Sequence, residues 1–150
     1  MELNSEQYAQ EQDPIEKLVL VCIDTAKAML EEYQTVIPFG IRAFKDNDDL
    51  KMNCPGDKNP EANFDQQIED VVSELKEFVK NENIFATALV TELESEGEKA
   101  IGLQVENEMT SVLFVYPFHK NDDKSQTAEE WIIEAPIQTD QLLNTVYTHH

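Results

Sequence analysis

Residues 84–108 read IFATALVTELESEGEKAIGLQVENE, and this stretch decides the fold. Apolar and polar side chains alternate along most of it, which is the two-residue period of a β-strand with one buried face. Gly97 interrupts the alternation within a polar segment, residues 95–98, where a tight turn is favoured. The pattern therefore predicts two antiparallel strands, residues 84–94 and 99–108, joined as a hairpin.

The strands after the turn have recognisable orientations. In the strand over residues 99–108, the side chains expected to point inward are Ile101, Leu103 and Val105. Those expected to point outward are Gly102, Gln104 and Glu106. Residues 110–119 are apolar on both faces, which is typical of a strand that lies in the middle of a sheet or has both faces covered. A polar loop, residues 121–130, then leads to a last strand, residues 131–137, which Pro136 closes.

Two amphipathic helices and a second hairpin precede these strands. The sequence DPIE at residues 13–16 combines an N-cap, a first-turn proline and a capping-box glutamate, and its helix runs to about residue 34. The second helix is capped at Asn59 or Asn63 and ends near residues 81–83. Between them, residues 36–44 and 50–54 flank a turn-forming acidic cluster and are expected to pair.

The order α-β-β-α-β-β-β-β predicts an α+β fold. We expect two helices packed on a mostly antiparallel sheet of about five or six strands, either sharing one face or lying on both. Residues 1–12 lack an apolar period and are interpreted as a disordered acidic N-terminal arm. Residues 13–150 have the length of one domain, and no linker divides them.

Charge is the least ordinary property of the chain. The 31 Asp and Glu residues against 11 Lys and Arg residues give a net charge of -20. Such a field repels phosphate, so we expect neither nucleic acid nor an anionic membrane as a partner, whereas a basic protein would be attracted. Plain solubility is the alternative explanation. The sequence has neither a signal peptide nor a long apolar run, which predicts a cytoplasmic protein.

The sequence lacks the usual signatures of an enzyme. Its four glycines form no phosphate-binding loop, and Cys22 and Cys54 are expected to be free thiols. His119 is the only histidine before the chain end, and a surface position is expected for it. We therefore predict no catalytic residue, no metal ligand and no cofactor, and favour a protein that is not an enzyme.

The candidate partner-binding residues are carboxylates and aromatic side chains near predicted turns and strand ends. They are Phe39, Asp46, Asp48, Asp49, Glu92, Glu94, Glu106, Glu108, Tyr116 and Phe118. The four glutamates are expected to meet across the Gly97 turn as one patch of carboxylates. Each group also has an ordinary structural explanation. The aspartates would form a solvated Asx-rich turn, the glutamates would protect an edge hairpin by their charge, and the aromatic residues would close the ends of the core.

One short motif carries a resemblance. Residues 36–41, VIPFGI, follow an amphipathic helix and precede an acidic turn. In this respect the first 55 or so residues resemble small uncharacterised bacterial proteins, in which a helix precedes a VIPFG-type strand. The resemblance implies a family without an assigned activity, so no functional residue can be transferred from it.

The leading hypothesis is a non-enzymatic protein-binding module of the immunity or inhibitor type. An acidic domain of this size can cover the basic active site of a nuclease by imitating phosphate charge. The alternative is a small-ligand-binding protein or a hydrolase-type enzyme that uses carboxylates in a pocket between helix and sheet. A third possibility is a homodimer that pairs exposed strand edges.

Overall fold

A computed structural model describes residues 14–121, 131–139, 141–143 and 146–147. The helices are α1 (Pro14–Tyr33) and α2 (Phe64–Asn81), with a 3-10 turn at Pro55–Asp57 between them. The strands are β1 (Phe39–Phe44), β2 (Leu50–Asn53), β3 (Ile84–Ser95), β4 (Glu98–Glu106), β5 (Ser111–Lys120), β6 (Trp131–Ile133) and β7 (Ile137–Thr139). The predicted arm, residues 1–12, and all but the first residue of the predicted loop, 121–130, lie outside the described residues.

The described strands form one antiparallel sheet in the order β2-β1-β3-β4-β5-β6, and β7 pairs with β5 beside β6. The predicted α+β class and element order are confirmed, and so is the interior position of β5, which has strands on both sides. The prediction of a single last strand over residues 131–137 is wrong. Pro136 has no N–H to donate to β5, and regular strand pairing is interrupted between Ile133 and Ile137.

The two helices pack on opposite faces of this sheet, which settles the alternative that the sequence left open. Phe39 and Ile41 of β1 belong to the core formed with α1. Gly40, between them, faces α2 so closely that a Cβ at this position would lie 3.0 Å from Leu75 Cδ1 and 3.0 Å from Val71 Cγ1. We call the side covered by α1 the first face and the side covered by α2 the second face.

The second face is buried where the sequence predicted exposure. Gly102, Gln104 and Glu106 of β4 alternate with the apolar core residues as expected, but all three are buried. This burial results from tertiary contacts. Helix α2 contacts β1 and β3, and residues near the C-terminus cover the adjoining part of β4.

Local chemistry explains where α2 begins and how β3 turns into β4. Of the two predicted caps, Asn63 is the one used, and its Oδ1 accepts the N–H of Gln66 at 2.8 Å. Glu96 and Gly97 both have positive φ, 55° and 83°, as a two-residue type I′ hairpin turn requires. This turn fixes the register of the hairpin, because it pairs Ser95 with Glu98.

Candidate functional site

The hairpin register separates the glutamates that were expected to form one patch. Glu94 pairs with Lys99 and Glu92 with Ile101, whereas Glu106 pairs with Thr87 at the far end of the hairpin. Five residues of strand, about 17 Å at 3.4 Å per residue, separate Thr87 from Glu92. The predicted carboxylate patch is therefore wrong, since a two-residue turn places Glu106 and Glu108 at the opposite end from Glu92 and Glu94.

Glu92 is tied into the fold. Its Oε1 accepts hydrogen bonds from Thr35 Oγ1 and from the N–H of Val36, both at 3.2 Å, so it fastens the segment between α1 and β1. Lys99 Nζ lies 3.8 Å from Oε2 of Glu92, and the side chain of Glu92 is 12% exposed. Glu94, two residues away, is exposed to solvent.

Glu106 and Gln104 hold the C-terminal residues against the second face. Both oxygens of Glu106 accept the N–H of Val146, at 3.1 and 3.0 Å, and Oε2 also accepts that of Tyr147 at 2.9 Å. Gln104 Nε2 donates to Glu106 Oε1 at 2.6 Å, and its Oε1 accepts the N–H of Leu143 at 2.5 Å. We call residues 141–143 and 146–147 the latch.

The three candidate aromatic anchors lie in or against the core. Phe39 has no exposed surface, and Phe118 is 5% exposed and meets Trp131 edge to face at 5.8 Å. Tyr116 is half-buried, and burial, with a smaller contribution from Cys22, raises its pKa. Phe39 and Phe118 thus close the core and offer almost no surface to a partner.

The acidic turn between β1 and β2 is exposed, and hydrogen bonds tie it both to itself and to Asn83 and Lys17. Asn83 Nδ2 donates to Asp46 Oδ2 at 2.6 Å, and Lys17 Nζ donates to the backbone oxygen of Asp48 at 3.0 Å. The N–H of Asp49 donates to Asn47 Oδ1 at 2.8 Å, as in an Asx-turn. Glu108, in the turn between β4 and β5, is exposed, and its Oε1 lies 3.8 Å from Lys45 Nζ.

A cavity of about 640 Å³ opens between this turn and the start of α1. Its walls combine apolar residues of β1, β2 and β3 with both carboxylates and amines. The lining includes Lys17, Phe44, Asp48, Asp49, Leu50 and Phe85. Its volume lies in the range of small-ligand sites.

An uncovered apolar surface lies on the second face, beyond the reach of α2. The strand register aligns apolar residues of β3, β4, β5 and β7 in two rows, and β6 extends them. We call this surface the sheet patch, and it consists of Leu93, Ala100, Val115, Pro117, Ile132 and Ile137. Ile137 is 62% exposed and Ile132 39%, although both are branched apolar side chains. Sequence reasoning missed the patch because the sequence does not show how far α2 extends across the sheet, and so did not reveal that one face of residues 111–120 lies beyond it.

Carboxylates border the sheet patch at the β3–β4 turn. Glu96 and Glu98 are exposed there, and Glu134 is exposed beside Pro117, whose backbone oxygen accepts the N–H of Glu134. Glu98, Glu134, Pro117 and His119 share the wall of a second cavity of about 430 Å³. Lys99 and Lys120, at positions that alternate to the first face, also line this cavity, so carboxylates predominate only on the second-face side of this edge.

The described part of the chain contains no group of three or more His, Cys, Asp or Glu side chains placed to hold a metal ion. Neither α1 nor α2 has both the length and the apolar character needed to cross a bilayer. Cys22 and Cys54 are free thiols. No protein-family model, curated protein or solved structure matches this chain.

Proposed function

We propose that this protein is a protein-binding module of the inhibitor or immunity type, and that the sheet patch holds a basic partner. The observation that carries the proposal is the exposure of Ile137 and Ile132 on a sheet face that α2 leaves open. Contiguous exposed apolar surface bordered by polar groups is typical of interaction sites.

Burial of the patch would supply the affinity. Each Å² of apolar surface removed from water contributes about 25 cal/mol, and a large exposed aliphatic side chain such as Ile137 therefore contributes on the order of 1–2 kcal/mol when a partner covers it. Val115 and Pro117, which are already half-buried, would form the floor beneath it. An apolar centre with a polar rim is the usual anatomy of a protein interface.

The rim and the net charge would supply the selectivity. Glu96, Glu98 and Glu134 border the patch, while Lys99 alternates to the first face of β4 and lies near Glu92. A partner with Lys or Arg around an apolar centre is complementary to this surface, and a net charge of -20 would speed its approach. A nuclease whose basic active site is covered in this way is the kind of partner that fits.

The test is affinity capture with matched surface variants. Immobilised native chain, Ile137→Asp and Met109→Asp are exposed to the same lysate of the source cell. Met109 is 87% exposed in the β4–β5 turn, away from the sheet patch, and so controls for a surface Asp as such. We expect a basic protein that the native chain and Met109→Asp retain, that Ile137→Asp loses, and that high salt releases. A set of bound proteins that does not differ between the two variants would contradict the proposal.

The 640 Å³ cavity supports a second candidate function, a small-ligand site or hydrolase-type active site at Asp48 and Asp49. The observation in its favour is the convergence of Lys17 and these carboxylates over an apolar floor that includes Phe44 and Phe85. A fragment screen by NMR would test it. Hits that shift the amides of residues 44–50 and fail with Asp49→Asn would support it, and hits confined to other regions would not.

A further inference from the structure

A β-bulge shapes one wall of the 640 Å³ cavity. Ala43 of β1 pairs with Ala86 of β3, but the next residue of β1, Phe44, pairs with Ile84. Phe85 is thus an extra residue on β3 without a partner on β1. A regular strand points consecutive side chains to opposite faces, yet Phe85 and Ala86 both pack with the first-face core. Bulges re-aim side chains in this way, and this one brings Phe85 to the cavity wall that Phe44 also lines.

The acidic turn, residues 45–49, is fastened at two points beside this cavity. Lys17 Nζ of α1 donates to the backbone oxygen of Asp48 at 3.0 Å. Asn83 Nδ2, just before β3, donates to Asp46 Oδ2 at 2.6 Å. These bonds join the turn to α1 on one side and to β3 on the other, so they hold the rim of the cavity in place.

The charged groups that remain available at this rim are carboxylates. Lys17 already donates to the backbone of the turn, and Lys45 Nζ lies 3.8 Å from Glu108 Oε1. By contrast, the carboxylates of Asp48 and Asp49 form no ion pair or hydrogen bond with any residue that the structure describes. A ligand that enters the cavity therefore meets two amines that already have acceptors and two carboxylates without a partner.

We propose that this cavity binds an organic cation with an aromatic body. The ammonium group of the ligand lies against Asp48 and Asp49, and its ring packs on the apolar wall that includes Phe85. The cavity volume suits a molecule with one or two fused rings. This proposal rests on the second candidate function, for which it names the class of ligand, and it does not involve the sheet patch.

The orientation of the ligand follows from the cations that are already present. The guanidinium carbon of Arg42 lies 5.7 Å, and Nζ of Lys51 lies 5.4 Å, from the ring centroid of Phe44. A further cation beside Phe44 meets the repulsion of both, whereas the two carboxylates of the turn attract it. The ammonium group therefore points to the turn and the ring to Phe85.

The two halves of such a ligand have different roles. Burial of the ring supplies most of the affinity, because apolar surface contributes in proportion to the area removed from water. Carboxylates in contact with water contribute less, but a neutral analogue loses their contribution altogether. An anionic analogue also meets the repulsion of a chain with a net charge of -20. The cavity should therefore bind a cation most tightly and an anion most weakly among analogues of equal shape.

The test compares three indole probes of similar shape with one amine that lacks a ring: tryptamine, tryptophol, indole-3-propionate and ethylammonium. Chemical shifts of the amides of residues 44–50 and 84–86 report binding at the cavity. We expect tryptamine to bind about three- to tenfold more tightly than tryptophol, and the other two probes to bind more weakly than either. Added salt should narrow the difference between tryptamine and tryptophol.

Charge-matched variants locate the bound cation. Asp48→Asn combined with Asp49→Asn removes two carboxylates from the rim, and Asp24→Asn combined with Glu69→Gln removes two from exposed positions on α1 and α2. The rim variant should bind tryptamine no more tightly than tryptophol. Its affinity for tryptophol should be unchanged, which shows that the cavity is intact. The helix variant should keep the native preference, although its net charge equals that of the rim variant.

The two possible failures can be told apart. If no probe shifts the amides at the cavity, the small-ligand site is wrong and this inference fails with it. If the three indole probes bind there with equal affinity, the ligand site stands and the preference for cations is wrong. The same conclusion follows if the rim and helix variants lose the preference for tryptamine to the same extent, since the net charge alone would then explain it.

Discussion

Arg42 Nε lies 2.6 Å from Glu82 Oε1, and this ion pair joins the second face of β1 to the end of α2. The guanidinium carbon also lies 3.6 Å from the ring centroid of Phe78 on α2. The side chain of Arg42 is 9% exposed and that of Glu82 is 31% exposed, so the pair is only partly screened by water. This contact helps to place α2 over β1 and β3, which leaves β4 and β5 to the latch and the sheet patch.

We expect Arg42→Met to destabilise the fold by about 2–3 kcal/mol, because it removes the ion pair and the cation–π contact and leaves Glu82 without its partner. Lys76→Met, at an exposed position of α2, should change stability by less than about 0.5 kcal/mol. Urea unfolding followed by circular dichroism measures both. Equal stability of the two variants would mean that the pair contributes little to the position of α2.

Glu92 and Glu94 provide a matched pair on one strand. Glu92→Ala should lower the free energy of unfolding by about 1–2 kcal/mol, because Thr35 Oγ1 and the N–H of Val36 lose their acceptor. Glu94→Ala, at an exposed position, should be close to neutral. Thermal unfolding distinguishes them, and the account of Glu92 as a structural residue fails if the two substitutions have the same effect.

Much of the fold follows from local patterns. The alternation in residues 84–108 and the helical spacing in residues 64–81 indicate the elements, and the Glu96–Gly97 turn could have given the register, since pairing Ser95 with Glu98 places Glu106 opposite Thr87. The burial of Glu106 could not be predicted, because it depends on the latch, which is about 40 residues away along the chain. The exposure of Ile137 likewise depends on how far α2 reaches across the sheet.

The two thiols should differ in reactivity. Burial raises the pKa of Cys22 to about 12, and the side chain has no exposed surface. The pKa of Cys54 is also raised, by burial and then by Asp57, but this residue is half-buried. Because the thiolate is the reactive form, iodoacetamide at neutral pH should label Cys54 slowly and Cys22 only after unfolding. Mass spectrometry of the labelled peptides checks the order, and labelling of Cys22 in the native protein at the rate of Cys54 would contradict it.

Tyr147 should make the stability of the fold sensitive to alkaline pH. Burial, and then the charges of Glu108 and Glu106, raise its pKa from 10.0 to about 12. The folded state therefore holds the phenol proton more tightly than the unfolded state does. The contribution of the protonated Tyr147 phenol to the free energy of unfolding is complete below pH 10 and is lost as the pH rises to about 12.

The comparison with Tyr147→Phe isolates this effect from the other tyrosines. Unfolding free energies measured between neutral pH and about pH 12 should fall more steeply for the native chain than for the variant. Parallel curves would show that Tyr147 titrates alike in both states and that the latch does not bury it.

The most direct test of the central claim is the affinity of the captured basic protein for purified native chain, Ile137→Asp and Met109→Asp, measured by calorimetry at low and high salt. The account predicts that Ile137→Asp weakens binding by about tenfold or more, that Met109→Asp binds like the native chain, and that salt weakens binding in every case. Equal affinities for Ile137→Asp and the native chain would show that the partner does not bind at the sheet patch.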